Sequence, residues 1–175
     1  ELGDDPIGTY GLGTQPLEFL HFTVQMLRVH RSEVSDGEID ELVDHLTKQV
    51  RKVAPFSLRV GPPQAGVHAV EMWVEPDANG LNPQWTNLVE HTRTAASSVF
   101  GPDALPPLGP NATPHTSLGY GVTNGDSGVL TSALKRTRQP LVEVPVEQVH
   151  LLAVTQRPEQ GQFVWDSLAT IELGQ

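Results

Sequence analysis

The chain contains no cysteine. That excludes disulfides and thiolate-held metals, and it fits a reducing compartment, so a cytoplasmic setting is expected. Long apolar runs are also missing: nothing approaches the ~18 consecutive apolar residues that would suggest a membrane span. The opening Glu1-Leu2-Gly3-Asp4-Asp5 has neither the basic start nor the apolar stretch of a signal peptide. Positive charge is scarce. Lys and Arg number 11 against 21 acidic residues, for a formal net charge of −10. Such a protein repels a long polyanion at a distance, because nonspecific nucleic-acid binding depends on basic side chains neutralising phosphates. A broad nucleic-acid surface is therefore not expected. A small phosphate ester in a locally favourable pocket remains open.

The remaining composition, with 38% hydrophobic and 18% charged residues over 175 positions, is that of one soluble globular domain with a real core. Two stretches stand out within it: Leu20-His21-Phe22-Thr23-Val24 and Pro114-His115-Thr116-Ser117-Leu118. Each carries His, any residue, then a small hydroxyl residue, in a segment that reads as a β-strand. Residues i and i+2 of a strand share a face, so His21 is expected beside Thr23 and His115 beside Ser117.

Taken in order, residues 1–16 are rich in Gly and Pro and read as an irregular or extended arm. Phe19 to Arg28 reads as a strand buried on both faces. Ser35 and Glu38 have capping-box spacing, and the apolar positions Ile39, Leu42, Val43, Leu46, Val50 and Val53 predict a helix over about 36–53. Strands follow at Phe56–Val60 and Val67–Glu75, expected to form a hairpin across the Gly61–Gly66 turn. Residues 76–80 break the chain. Asn82-Pro83 then starts a second helix that ends near Gly101-Pro102. A Pro- and Gly-rich loop over 101–114 delivers His115, whose strand runs to Gly121. A helix marked by Val129, Leu130, Ala133, Leu134 and Thr137 comes next. Leu141 to Thr155 is one long strand or two offset ones across Pro145, Arg157–Gly161 is a turn, and Phe163–Leu173 is the last strand. Two halves thus read strand, helix, strand, strand, with one His on each opening strand. This order of elements suggests an internal duplication.

Hydrolysis of a cyclic phosphodiester needs a base to activate water and an acid to protonate the leaving oxygen. Histidine can do either near neutral pH, and the hydroxyl two residues along can hold a phosphoryl oxygen. This design requires no metal. A third pattern, His45-Leu46-Thr47, lies in the predicted first helix, where i and i+2 do not share a face, and is set aside. His30, His68, His91 and His150 lack a matching hydroxyl on a strand face and read as structural or exposed. Either motif alone would be read as an ordinary core or surface histidine; the placement of the pair at matching points of matching halves carries the argument.

With both motifs in view, the chain resembles the 2H phosphoesterase superfamily, which includes 2′-5′ RNA ligase-like proteins and RNA 2′,3′-cyclic phosphodiesterases. Leu20-His21-Phe22-Thr23-Val24-Gln25 is similar to its first motif and Pro114-His115-Thr116-Ser117-Leu118-Gly119-Tyr120 to its second. The tail from Val149 to Leu173 is similar to the closing hairpin. The resemblance implies an α+β bilobal fold of two pseudo-symmetric antiparallel sheets with flanking helices around a central cleft. It implies one domain over 17–175 with lobes of roughly 17–100 and 110–175. It further implies His21, Thr23, His115 and Ser117 as catalytic residues, with His115 as base and His21 as acid. The expected substrate is a small nucleotide or RNA end, acted on by a monomer without cofactor or metal.

Two departures qualify it. Tyr120 stands where many members carry arginine, and residues 1–16 are poor material for the strand that usually precedes the first motif. Gln25, at i+4 from His21, is expected at the cleft edge. Tyr120, at i+5 from His115, reaches the substrate only if Gly119 or Gly121 bends or bulges its strand. Two other functions compete: a non-catalytic nucleotide- or phosphate-binding module on the same fold, and a His-based metal hydrolase, which needs a third ligand that the flanking sequence does not supply.

Overall fold

A computed structural model describes residues 10–76, 82–108, 113–137 and 139–174. Residues 1–9 of the expected arm, the break at 77–80 and part of the loop before His115 lie outside these. The described residues form an α+β fold with antiparallel sheets and three α-helices. None of these helices is long and apolar enough to cross a membrane.

Helix α1 (Asp36–Val50) begins as its capping box predicts: the Ser35 hydroxyl accepts from the Glu38 N–H, and the Glu38 carboxylate accepts from the Ser35 N–H. Helix α2 (Pro83–Phe100) starts on Asn82, whose side-chain oxygen accepts from the N–H groups of Gln84 and Trp85. Their apolar stripes meet. Leu42, Leu46 and Val50 of α1 and Leu88, Ala95 and Ala96 of α2 enclose one core with Ile171 and Leu173. On its other side α2 offers Trp85 and Val89 to a second core with Leu58, Val60 and Val74. Helix α3 (Ser127–Thr137) buries only Leu130.

The strands are β1 (Leu12–Thr14), β2 (Phe56–Val60), β3 (Gln64–Ala65), β4 (Ala69–Trp73), β5 (His115–Gly121), β6 (Val142–Val146), β7 (Gln148–Arg157) and β8 (Gln162–Glu172). They make a four-stranded sheet in the order β1-β5-β4-β3, a pair β2-β6 and a hairpin β7-β8. Strands of the two sequence halves therefore pair with each other, β4 with β5 and β2 with β6. The expected hairpin of β2 with β4 is reduced to a single bridge, Val60 to Val74, just beyond the end of β4; within the sheet β4 is flanked on its two edges by β5 and β3. The stretch 141–155 divides after Val146, not at Pro145, which sits within the two-stranded β2-β6 pair.

Two expectations fail. Phe19–Arg28 is not a strand: a 3-10 turn over Leu17–Phe19 leads into a segment with no ladder. Its apolar residues are instead inserted between the two cores, Phe22 and Val24 toward the sheet side and Val24 and Leu27 toward the helices. The burial expected on both faces is not found either: these residues are only partly buried, and Met26 is exposed. Nor is the described part of the arm irregular, since Leu12–Thr14 pairs antiparallel with Gly119–Gly121 of β5. Gly13 makes this possible. A Cβ there would lie 1.7 Å from the Gln160 carbonyl oxygen, so only glycine lets β1 pass under the β7-β8 turn.

Candidate active site

His115 opens β5, and the ladder fixes which way it faces. Trp73 pairs with His115 and Glu71 with Ser117, and residues directly opposite across an antiparallel ladder share a face. Trp73, Glu71, His115 and Ser117 therefore lie on one face. Between Val70 and Glu71 the register shifts: Val70 pairs with Gly119 and Glu71 with Ser117, which leaves Leu118 as an extra, bulged residue. The bulge inverts the alternation. Tyr120, paired with Ala69, falls on the His115 face, with its ring 4.8 Å from that of Phe163 on β8.

His21 is held by another route, against β8. Its ring stands edge-on to Trp165 of β8, with centroids 4.9 Å apart, and Phe19 packs edge-on against the same tryptophan. Trp165 and Phe163 are two residues apart on one strand and so share a face. An aromatic line thus runs from His21 through Trp165 and Phe163 to Tyr120. Gln15, almost fully buried, ties these parts together. Its backbone N–H donates to Leu118 of β5, and its side-chain oxygen accepts from the Phe163 N–H. Its amide nitrogen donates to the carbonyls of Phe163 and Phe19.

The two histidines are held in the same manner. Nδ1 of His21 lies 3.0 Å from the Phe19 carbonyl oxygen, and Nδ1 of His115 lies 3.2 Å from that of Thr113, in each case two residues upstream. A carbonyl can only accept, so each Nδ1 carries its proton and each neutral ring presents Nε2 as the free lone pair. Each ring also rests on a tryptophan from the other half of the sequence. His21 meets Trp165, and His115 lies against Trp73 with centroids 4.6 Å apart and planes tilted by 31°. The hydroxyls of Thr23 and Ser117 have no hydrogen-bond partner among the described residues; Thr23 is exposed and Ser117 buried.

Gln25 departs from expectation. Its side-chain oxygen accepts from Arg93 of α2, and its amide donates to the Met26 carbonyl, so it is engaged with the helix layer and is not brought to the histidines. The reason is the loss of the strand: without its alternation, neither Thr23 at i+2 nor Gln25 at i+4 is placed on the His21 face by periodicity. Glu71, Trp73, Trp165 and Gln15 were not found by sequence reasoning. The three on strands are recognised only once pairing register is known, and a buried amide in a Gly/Pro-rich stretch gives no periodic signal.

A chain of this kind, α+β with two carbonyl-locked histidines each seated on an aromatic ring, can be placed among known proteins. The family model of the 2′-5′ RNA ligase superfamily matches residues 10–157, and the protein belongs to that family, within the 2H phosphoesterases. Among solved structures, TT0787 of Thermus thermophilus is similar at 20% identity and a TM-score of 0.65, over 93% of this chain and 82% of that one. E. coli LigT in apo form is similar at 16% identity and a TM-score of 0.59, over 93% and 82%. LigT has also been solved with 3′-AMP, in a form that matches at 15% identity and a TM-score of 0.61 over 95% and 83%. At these identities the likeness establishes the fold. No curated protein matches significantly.

Proposed function

We propose that the protein is a metal-independent phosphodiesterase that hydrolyses a 2′,3′-cyclic phosphate or a 2′-5′ linkage in a small nucleotide or RNA end. The observation that supports this most is the matched treatment of His21 and His115, each with Nδ1 on the carbonyl two residues upstream and its ring on a tryptophan. Such a lock leaves two Nε2 atoms for proton transfer. In the cyclic case, a neutral Nε2 takes a proton from water as its oxygen bonds to phosphorus. The second ring, protonated at Nε2, gives its proton to the ribose oxygen as the P–O bond breaks, leaving a phosphomonoester and a free hydroxyl. Thr23 and Ser117, whose hydroxyls have no hydrogen-bond partner among the described residues, hold the phosphoryl oxygens. LigT, of the same fold, has been solved with phosphate and with 3′-AMP. The net charge of −10 favours a short substrate over a long one, and we take the protein to be cytoplasmic.

The test is turnover of 2′,3′-cyclic AMP with a chelator present, followed by chromatography of the product. A phosphomonoester formed at an undiminished rate is the expected result. Binding without turnover would leave a non-catalytic nucleotide-binding module, and activity lost on chelation would refute the metal-independent mechanism.

A further inference from the structure

Glu71 is the acidic residue on the His115 face, and the mechanism above does not use it. Its Oε1 lies 3.9 Å from Nε2 of His115, the nitrogen left free by the Nδ1 lock, and its side chain is only 21% exposed. Across the ladder it is the direct partner of Ser117. Among the described residues its carboxylate accepts no hydrogen bond and has no Lys or Arg partner: Arg59 pairs with Glu75, Arg31 with Asp36, and Arg93 donates to Gln25 and the Pro106 carbonyl. Trp73 of β4 lies against the His115 ring, with centroids 4.6 Å apart. A phosphate held by the hydroxyl of Ser117 beside the His115 ring is therefore a near neighbour of this carboxylate.

We propose that Glu71 sets the charge preference of the site, admitting a singly charged phosphodiester beside His115 and disfavouring a doubly charged phosphomonoester. The inference rests on the phosphodiester reading above. Coulomb repulsion is linear in the ligand's charge, so the carboxylate acts on a dianion about twice as strongly, in free energy, as on a monoanion in the same place. Partial burial keeps salt from screening this away. Tyr120, on the same face, supplies no compensating cation. The substrate class carries one negative charge and its hydrolysed product two, so Glu71 weakens retention of the product more than capture of the substrate.

The experiment is a titration of the intact protein at pH 8 with inorganic phosphate, then a dianion, and with dimethyl phosphate, a monoanion that does not turn over. It is followed through the ring resonances of His115. Glu71→Gln should tighten dimethyl phosphate roughly threefold and phosphate roughly tenfold, the second factor being about the square of the first. Glu71→Asp, which keeps the charge, should show less than half of either change on a logarithmic scale. Glu71→Met removes the charge at similar volume and gives the same reading should the amide variant not fold. Equal tightening of the two anions, or none, overturns the role of Glu71 and leaves the phosphodiesterase reading standing. Failure of either anion to move the His115 resonances in any of the proteins overturns both.

Discussion

Replacing Gln15 by leucine should both destabilise the protein and disable His21. The side chain makes three hydrogen bonds: it accepts from the Phe163 N–H at 3.0 Å, donates to Phe19 O at 3.1 Å, and donates to Phe163 O. At a net value of about 1 kcal/mol each, their loss costs about 3 kcal/mol, and stranding the Phe163 N–H away from water adds ~1–2 kcal/mol. The Phe19 carbonyl oxygen also accepts from Nδ1 of His21. Releasing one of its two donors loosens the turn that aims the imidazole. Urea unfolding followed by far-UV circular dichroism reads the stability term. Turnover of 2′,3′-cyclic AMP by the folded variant well below its unfolding midpoint reads the second, and should fall at least tenfold. Gln15→Glu is the sharper control. It keeps the acceptor for Phe163 N–H but turns a carboxylate oxygen toward two carbonyls, so it should be no milder than leucine. A loss of stability under about 1 kcal/mol in Gln15→Leu, with turnover intact, would refute the view that this amide joins β5, β8 and the His21 turn.

Three further outcomes follow from local geometry. Gly161→Ala should destabilise the protein and separate the β7-β8 turn from β1 and β5, because φ is +60° and the new Cβ would lie 2.6 Å from the Tyr120 carbonyl oxygen; thermal unfolding and loss of amide protection in residues 12–14 would register it. Thr116→Val should be neutral or stabilising within about 1 kcal/mol, since the Thr116 hydroxyl is buried with no partner among the described residues and its removal leaves none of them unpaired. Ser35→Ala should cost about 1 kcal/mol as a lost N-cap, measured by denaturant unfolding near neutral pH. The Ser35 hydroxyl and N–H together hold the Glu38 carboxyl below its ordinary value of 4.5. A carboxyl lowered by folding contributes stability above its unfolded value, and that contribution disappears as the pH falls through the folded value. The gap between wild type and Ser35→Ala should therefore narrow below pH 4.5.

Much of the fold is legible locally. The capping box at Ser35 and the Asn82-Pro83 start place α1 and α2, and the turn at 157–161 between two strand-like runs places the last hairpin. Two segments near the site were misread for a shared reason. Whether an apolar run is a strand depends on a free neighbouring edge. Phe19–Arg28 has none and is only partly buried against the two cores, while the Gly-rich Leu12–Thr14 finds one on β5. At the site, His115 and Ser117 are readable as one face of β5, because regular pairing persists between them. Tyr120 is not, because a bulge at Leu118 reverses the parity and no local residue pattern announces it. Glu71 and Trp73 become neighbours of His115 only through the β4-β5 register, and Trp165 meets His21 only through the tertiary approach of β8.

The most direct test of the central claim is a double-mutant cycle on the histidines, measured as turnover of 2′,3′-cyclic AMP with chelator present. If His21 and His115 act together in one reaction, His21→Ala and His115→Ala should each lower the rate at least 100-fold, on the scale of a lost proton transfer. The double variant should be little worse than either single one, because a step already without its acid loses little more when its base is removed. Losses under about tenfold in either single variant, or losses that simply multiply in the double, would contradict the account.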